Sequence, residues 1–258
     1  MNIIYLLFHG LSPYSGISKK ILHQVKGFEA CGHRVSLCTY SIADNGHRVR
    51  MINNEIIEDY GTGKPAAAKR RVSYQCIYRY AITHQVELIY VRSFHNANPF
   101  TIRLFSKLRK AGIKIAMEIP TYPYDSEYAG FPLVTRLGIQ VDKVFRKTLA
   151  KHVNAIVTFS DYHCIFGQRT IQISNGVDFD SIPLKKTVSK NTSVIHLLGV
   201  AEVHYWHGYD RLIEGLGKYS PNPANTTVFS TSQEVYGNPK CMIHNTLPDF
   251  MNLSTNII

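Results

Sequence analysis

The chain has 258 residues and carries 29 lysines and arginines against 18 aspartates and glutamates, which gives a formal net charge of +11. Hydrophobic residues make up 45% of the chain and aromatic residues 11%. This composition excludes a disordered chain, a collagen-like repeat and a coiled coil. The length suits one large domain, or one full domain and part of another.

The sequence predicts neither a membrane-spanning helix nor a secretion signal. No apolar run reaches the roughly 18 residues that a membrane-spanning helix needs. The apolar stretch in 2–8 lacks a basic start and a small-residue cleavage site, so we interpret it as a buried strand. The five cysteines are widely spaced and form no CxxC pair, which favours free thiols in a reducing, cytoplasmic compartment.

Apolar runs alternate with helical stripes as far as residue 173. Strand 2–8 leads into a glycine loop, 10–16, and then into a helix that ends at Gly32. Further strands are predicted over 34–40, 87–92, 114–119, 155–159 and 170–173, and further helices over 99–111, 131–152 and 161–166. This alternation predicts an α/β fold, with a Rossmann-like parallel sheet covered by helices on both faces.

A second domain is predicted to begin after this sheet. The first domain is predicted over 1–184, and a polar linker with a fresh strand–helix unit over 185–219. Periodicity ends after Tyr219, so 220–258 is predicted to be an irregular tail. Because one strand–helix unit cannot cover both faces of its own strand, the second Rossmann-like unit is expected to be incomplete.

The positive charge predicts an anionic partner, and the basic residues are clustered. Lys69-Arg70-Arg71 forms one cluster, the segment 103–114 a second, and the predicted helix 131–152 a third. That helix is also amphipathic, with Asp142 as the one acid among its cations. Two interpretations stay open for it: a solvated face of a packed helix, or contact with an anionic membrane surface. Nucleic acid is not an expected partner, because no helix-turn-helix, zinc-finger or RNP-like signature occurs.

The glycine loop after the first strand is the first candidate site. Gly10, Ser15 and Gly16 lie there, and the free N–H groups of the following helix would favour an anion. The alternative is a plain tight turn. NAD is not expected, because the spacing is not GxGxxG and strand 34–40 ends without an acid for a ribose.

Two further strand ends carry candidate residues, since ligands of open α/β sheets gather at the carboxyl ends of strands. Arg92 could contact a phosphate or sugar, or pair with Glu118. His95 follows on an exposed loop. Tyr122 and Tyr124 could stack on a sugar ring, or could only cap the sheet.

Two later loops complete the set. Asn175-Gly176 precedes Asp178 and Asp180, which we interpret as a turn and linker in preference to a metal-binding acid pair. His207 and Gly208 precede the predicted helix of the second unit, where a phosphate could bind; the alternative is a simple surface loop.

Taken together, these segments make the chain resemble GT-B fold glycosyltransferases of glycosyltransferase family four, typified by bacterial capsule and lipopolysaccharide sugar transferases. The glycine loop 10–16 resembles the family's loop after the first strand. Segment 173–178 (ISNGVD) resembles its PNGVD segment, and 199–214 resembles its G-R-L-…-K-G-x-D-x-L-I-x-A segment. The resemblance covers residues 1–219.

The resemblance implies sugar transfer from a nucleotide-sugar donor to a glycan or lipid-linked acceptor, with retention at the anomeric carbon and without a metal or other cofactor. For this activity we expect catalytic roles for Arg92 and Glu118, and sugar or acceptor contacts from Tyr122, Tyr124 and His95, on the basis of their places after strands. Donor-phosphate or acceptor contacts fall to Gly10, Ser15, Gly16, His207 and Gly208. The expected location is cytoplasmic, at the inner face of the plasma membrane if the basic helix contacts lipid.

The chain departs from the family pattern at several positions. Val200 replaces an arginine, His207 replaces a lysine, and Arg92 stands where many members have a histidine. The family's Glu-x7-Glu pair has no counterpart in the expected segment. These departures lead to the hypothesis of a truncated chain with reduced or no activity alone. The alternative is a non-catalytic module that binds an acceptor or a membrane surface.

Overall fold

The computed structural model describes residues 1–13, 15–93, 95–125, 133–176, 178, 180, 197–200, 208–219, 227–231 and 242–246. The chain divides into two compact units, Met1–Ile182 and Pro183–Ile258.

Within its described residues, the first unit contains a nine-stranded sheet in the order β4-β3-β2-β1-β5-β6-β7-β9-β8. The strands are β1 (Asn2–Leu6), β2 (Arg34–Ile42), β3 (Arg48–Ile52), β4 (Glu55–Asp59), β5 (Leu88–Arg92), β6 (Lys114–Ile119), β7 (Ala155–Thr158), β8 (Cys164–Ile165) and β9 (Gln168–Gln172). Neighbours from β2 through β9 are parallel, whereas β2–β3, β3–β4 and β8–β9 are antiparallel. The α/β prediction is confirmed, with a mixed sheet whose antiparallel pairs lie at its two edges.

Helices cover both faces of this sheet. They are α1 (Gly16–Ala30), α2 (Gly63–Val72), α3 (Gln75–Thr83), α4 (Pro99–Lys110) and α5 (Leu133–Ala150). Alternate residues of β1 enter two different cores, because successive side chains of a strand point to opposite faces. Tyr5 packs with Ile21 of α1 on one face. Leu6 packs on the other with Leu104 of α4 and Leu149 of α5.

The sequence analysis missed or misassigned both sheet edges. The segment 43–86, for which it predicted no elements, forms β3, β4, α2 and α3. The predicted short helix 161–166 was wrong, because this segment forms β8 and turns back into β9. Phe166 and Gly167 both have positive φ, 53° and 81°, and such a turn leads into an antiparallel strand more readily than it continues a helix.

The second unit has its own small sheet. Its described strands are β10 (Leu197–Val200), β11 (Thr227–Thr231) and β12 (Met242–Thr246), and α6 (Tyr209–Tyr219) lies between the first two. The strands β10 and β11 are parallel, and β11 and β12 are antiparallel. Both β11 and β12 lie in 220–258, where the sequence predicted no regular structure. The β-branched and aromatic residues of 227–231 favour a strand there. Among the described helices of the chain, none is both long and apolar enough to cross a membrane.

Candidate functional site

A cavity of about 730 Å³ lies at the carboxyl ends of the parallel strands of the first unit. His9 follows β1, Ser93 follows β5, Pro120 follows β6 and Phe159 follows β7, and all four line it. Six residues singled out from the sequence line the same cavity: Gly10, Ser15, Gly16, Arg92, His95 and Tyr124. The fold therefore brings together residues that are up to 114 positions apart (124 − 10).

The start of α1 forms one wall of this cavity. Ser15 caps the helix, because its Oγ accepts a hydrogen bond from the Ser18 N–H. Gly10 and Gly16 differ in what they allow. A Cβ at Gly10 would lie 2.9 Å from the Tyr40 carbonyl oxygen, whereas a Cβ at Gly16 would meet nothing within 4 Å. Gly10 is therefore required by the packing of the chain, and the space in front of Gly16 is open.

Arg92 and Glu118 form a buried ion pair behind the cavity. Arg92 Nη1 donates to Glu118 Oε1. Glu118 Oε2 accepts from the Tyr90 hydroxyl at 2.7 Å and from Gln24 Nε2 at 3.0 Å. Glu118 is completely buried. Burial first, and then the Glu118 charge, raise the pKa of the Tyr90 hydroxyl, which keeps it a proton donor to this carboxylate.

This geometry separates Arg92 and Glu118, for which the sequence predicted the same catalytic role. Arg92 both pairs with Glu118 and lines the cavity, so the predicted ion pair is confirmed and contact of Arg92 with a phosphate or sugar stays a prediction. Glu118 has no exposed surface and does not line the cavity. The expectation that Glu118 acts as a catalytic residue needs correction, because its oxygens are used to hold Arg92, Tyr90 and Gln24.

His95 and Tyr124 form the opposite wall. Their ring centroids are 4.5 Å apart. The Tyr124 hydroxyl donates to Asp142 Oδ2 at 3.0 Å, and the Ala97 N–H donates to Asp142 Oδ1 at 2.9 Å. Burial lowers the pKa of His95, which is thus not the exposed loop histidine predicted from the sequence. Asp142 belongs to α5, so one carboxylate holds both the loop after β5 and the aromatic wall.

Tyr122 lies outside the cavity lining. Its ring makes edge-on contacts with Tyr162 and Phe166, at centroid distances of 4.9 Å and 5.5 Å. Of the two interpretations of this tyrosine, the structure favours packing against the β8–β9 edge over stacking on a ligand in the cavity.

Two cavity residues escaped the sequence analysis. Lys20 lies one turn after Gly16 on α1, and its Nζ is 3.4 Å from the centroid of the Phe159 ring. Burial lowers the pKa of Lys20. His9 Nδ1 lies 2.7 Å from the Gly10 carbonyl oxygen, and burial likewise lowers its pKa. The i, i+4 spacing from Gly16 to Lys20, which places both on one helix face, is the signal that could have found the lysine.

The loops 173–180 and 199–208 are only partly described. Asp178 forms an ion pair with Lys26 at 2.7 Å. Where the chain is described, no group of three or more His, Cys, Asp or Glu residues could hold a metal ion. Gly208 has a φ of +67°, and a Cβ there would lie 2.7 Å from Arg211 Nη2. His207 lies outside the described residues.

The chemistry of the cavity follows from its lining. Its titratable described residues are His9, Lys20, Arg92, His95 and Tyr124, and no Asp or Glu is among the described residues that line it. Such a lining favours an anionic, hydroxyl-rich ligand. No protein-family model matches the chain, and no curated protein sequence matches it. The site geometry and the resemblance noted above therefore carry the functional argument.

Proposed function

We propose that the chain is a glycosyltransferase that moves a sugar from a nucleotide-sugar donor to a glycan or lipid-linked acceptor in surface polysaccharide biosynthesis. The observation that carries this proposal is the cavity, which combines the start of α1 with Lys20 and Arg92 and has no carboxylate among its described lining residues. A diphosphate is attracted by all three features, because each presents positive charge.

In this proposal the chain's own cations stabilise the leaving diphosphate, so a metal ion is not required for that role. Charge that develops on the diphosphate is stabilised by groups that are already oriented, which is the efficient form of electrostatic catalysis. Arg92 is oriented by Glu118, which thus acts as a positioning residue. Transfer with retention follows from the family resemblance.

The two cavity histidines supply proton acceptors. Their lowered pKa values leave His9 and His95 neutral near pH 7, and a neutral imidazole can accept a proton from an acceptor hydroxyl. The His95 ring also contacts the Tyr124 ring, at an interplanar angle of 51°, so this wall offers an aromatic surface and a proton acceptor side by side. We therefore assign the acceptor sugar to the His95–Tyr124 wall.

A second candidate, a membrane-surface binding module, is favoured by α5. Leu133, Leu137, Val141 and Val144 are exposed along one side of this helix, and Leu133 and Val144 have 68% and 71% of their surface accessible. Basic residues, including Arg136 and Lys147, accompany them. An apolar stripe with cations beside it suits the surface of an anionic bilayer. The membrane contact would then lie on the cytoplasmic side, where the four described cysteines, none of which forms a disulfide, suit a reducing environment.

Calorimetric titration of the purified chain with a panel of nucleoside diphosphates tests the first candidate. We expect one member to bind the parent chain, and Gly16→Leu to abolish that binding, because the new side chain would enter the open space before α1. Gly138→Leu on α5 is the matched control, since its Cβ also meets nothing within 4 Å. A panel that leaves the parent chain unbound, or equal binding by Gly16→Leu, contradicts the proposal.

Flotation with vesicles separates the two candidates. If α5 contacts lipid, the chain floats with vesicles that contain anionic phospholipid at low salt, and Leu137→Glu with Val144→Glu keeps it in solution. Vesicle binding without any nucleotide binding would support the membrane module and reject the transferase. Absence of vesicle binding at low salt would reject the membrane contact.

A further inference from the structure

Three arginines gather beside the cavity, where β2 and β3 meet α2. Arg48 and Arg50 are alternate residues of β3 and so share a face of the sheet. Arg48 Nη1 donates to the Tyr40 hydroxyl at 2.6 Å. The Arg70 guanidinium, from α2, lies 4.1 Å from the centroid of the same tyrosine ring. We call Arg48, Arg50 and Arg70 the arginine cluster.

Within the described part of the chain, no carboxylate forms an ion pair with any member of the arginine cluster. The nearby acids are engaged elsewhere. Glu58 lies 4.0 Å from Lys69 and 3.8 Å from Arg79, and Asp59 pairs with His47 at 2.8 Å. Four positive charges, with Arg71 counted, therefore lie close together, and no described carboxylate pairs with them.

Arg50 shows that this imbalance reaches into the protein interior. The residue is 1% exposed, and its Nη1 donates to the Leu7 carbonyl oxygen at 2.7 Å. Its buried Nε has no hydrogen-bond partner among the described residues, and neither does the buried Nε of Arg70. A buried guanidinium without a counter-charge is costly, because it has lost water and gained no anion. Burial also lowers the pKa of Arg70, and the neighbouring Arg71 and Arg48 act in the same direction.

The arginine cluster adjoins the segment that leads into the cavity. Arg50 contacts the Leu7 carbonyl, and the Tyr40 N–H donates to the His9 carbonyl at 3.3 Å. The Tyr40 carbonyl is the atom that a Cβ at Gly10 would touch. Because His9 and Gly10 line the cavity, the arginine cluster adjoins residues of the cavity lining.

We propose that the arginine cluster is a second anion site, which binds a phosphate group of the acceptor. Guanidinium groups bind phosphate oxygens through paired, charge-assisted hydrogen bonds. Arg48 and Arg70 are the half-buried members of the arginine cluster and present the surface that an anion can reach. The assignment of this phosphate to an acceptor rests on the proposed function. The existence of the anion site does not, since it follows from the arginines alone.

Binding of inorganic pyrophosphate at fixed ionic strength tests the anion site. The titration uses the full chain with Gly16→Leu, so that the cavity in front of α1 is filled. We expect Arg70→Gln to weaken binding roughly tenfold, because one charged hydrogen-bonding group is lost. Arg103→Gln, an exposed α4 variant with the same loss of charge, should bind as its parent does. Arg48→Gln provides a second variant should Arg70→Gln fail to fold.

Two results overturn the proposal: equal pyrophosphate binding by parent and Arg70→Gln, or an equal loss in Arg103→Gln, which would show only a general charge effect. A second arm uses phosphatidylcholine vesicles that contain phosphatidic acid. If Arg70→Gln weakens vesicle binding, the ligand is a lipid phosphate. If Arg70→Gln weakens only pyrophosphate binding, the ligand is a soluble phosphate. If the variants bind pyrophosphate as expected but the parent chain binds no nucleoside diphosphate, the transferase proposal is rejected and the anion site stands.

Discussion

Arg50 and Arg92 occupy the same sheet and differ in how their charge is balanced. Both are buried, with 1% and 6% of their surface accessible. Arg92 faces Glu118, which Tyr90 and Gln24 also hold. Arg50 donates to a main-chain carbonyl, and no described carboxylate pairs with it. The fold supplies Arg92 with a carboxylate, whereas among the described residues it supplies Arg50 with neutral acceptors only.

The largest expected effect is on the paired arginine. Glu118→Gln leaves the buried Arg92 charge without its anion, and loss of one partner of such a pair costs about 3–5 kcal/mol of stability. Urea unfolding of the parent and variant chains measures this loss. Glu29→Gln, an exposed residue of α1, removes the same charge and should leave stability within about 0.5 kcal/mol of the parent. A Glu118→Gln chain as stable as the control would show that the pair is not formed.

The unpaired arginine should behave differently. Arg50→Met removes a costly buried charge but leaves the Leu7 carbonyl without a donor, which costs about 1–3 kcal/mol. The two effects oppose each other, so we expect a net change of about 1 kcal/mol, well below that of Arg92→Met. In the Gly16→Leu chain, whose cavity in front of α1 is filled, added pyrophosphate should stabilise the chain with Arg50 more than the chain that also carries Arg50→Met. The comparison fails if the two methionine variants lose equal stability in urea without added anion.

The smallest expected effect is a pH dependence of stability near neutrality. Burial lowers the pKa of His9 and of His95 in the folded chain. As pH falls through the ordinary histidine value of about 6.5, the unfolded chain gains protons that the folded chain resists, so stability falls. This loss levels off once pH is below the lowered folded pKa.

Urea unfolding between pH 7.5 and pH 5 measures this slope. The range stays above the ordinary value of 3.8 of the Asp125 carboxyl, whose pKa Arg146 lowers further, so that carboxyl does not contribute. His9→Gln with His95→Gln should reduce the slope and leave the share of His152, whose pKa burial also lowers. His163→Gln, at an exposed histidine, is the matched control. A slope as steep in the double variant as in the parent would assign the effect to other groups.

The centre of the sheet could be predicted because its strands are short, almost wholly apolar runs. Residues 3–7, which include most of β1, are all buried, and such an apolar run before a glycine loop favours a buried strand. The edges could not be predicted in the same way. Arg48, Arg50 and Glu58 interrupt the apolar pattern of β3 and β4, and only pairing with β2 fixes these segments as strands.

The part of the candidate site that lies at strand ends and in the loops after them could be predicted from the sequence. Gly10, Arg92 and Tyr124 come directly after or at the ends of strands, where parallel sheets gather their ligands. Lys20 and Asp142 were missed as site residues because they come from helices. Which side of a helix faces a cavity depends on how that helix packs, and a pattern of cations around one acid does not specify it.

The two hydrogen bonds to Asp142 have a mechanical consequence. The carboxylate belongs to α5, the helix with the exposed apolar stripe. It accepts hydrogen bonds from the main-chain N–H of Ala97 and from the hydroxyl of Tyr124. A shift of this helix as it settles on a bilayer would pull on both at once. Binding of α5 to a lipid surface would then change the position of the cavity wall through the Asp142 side chain.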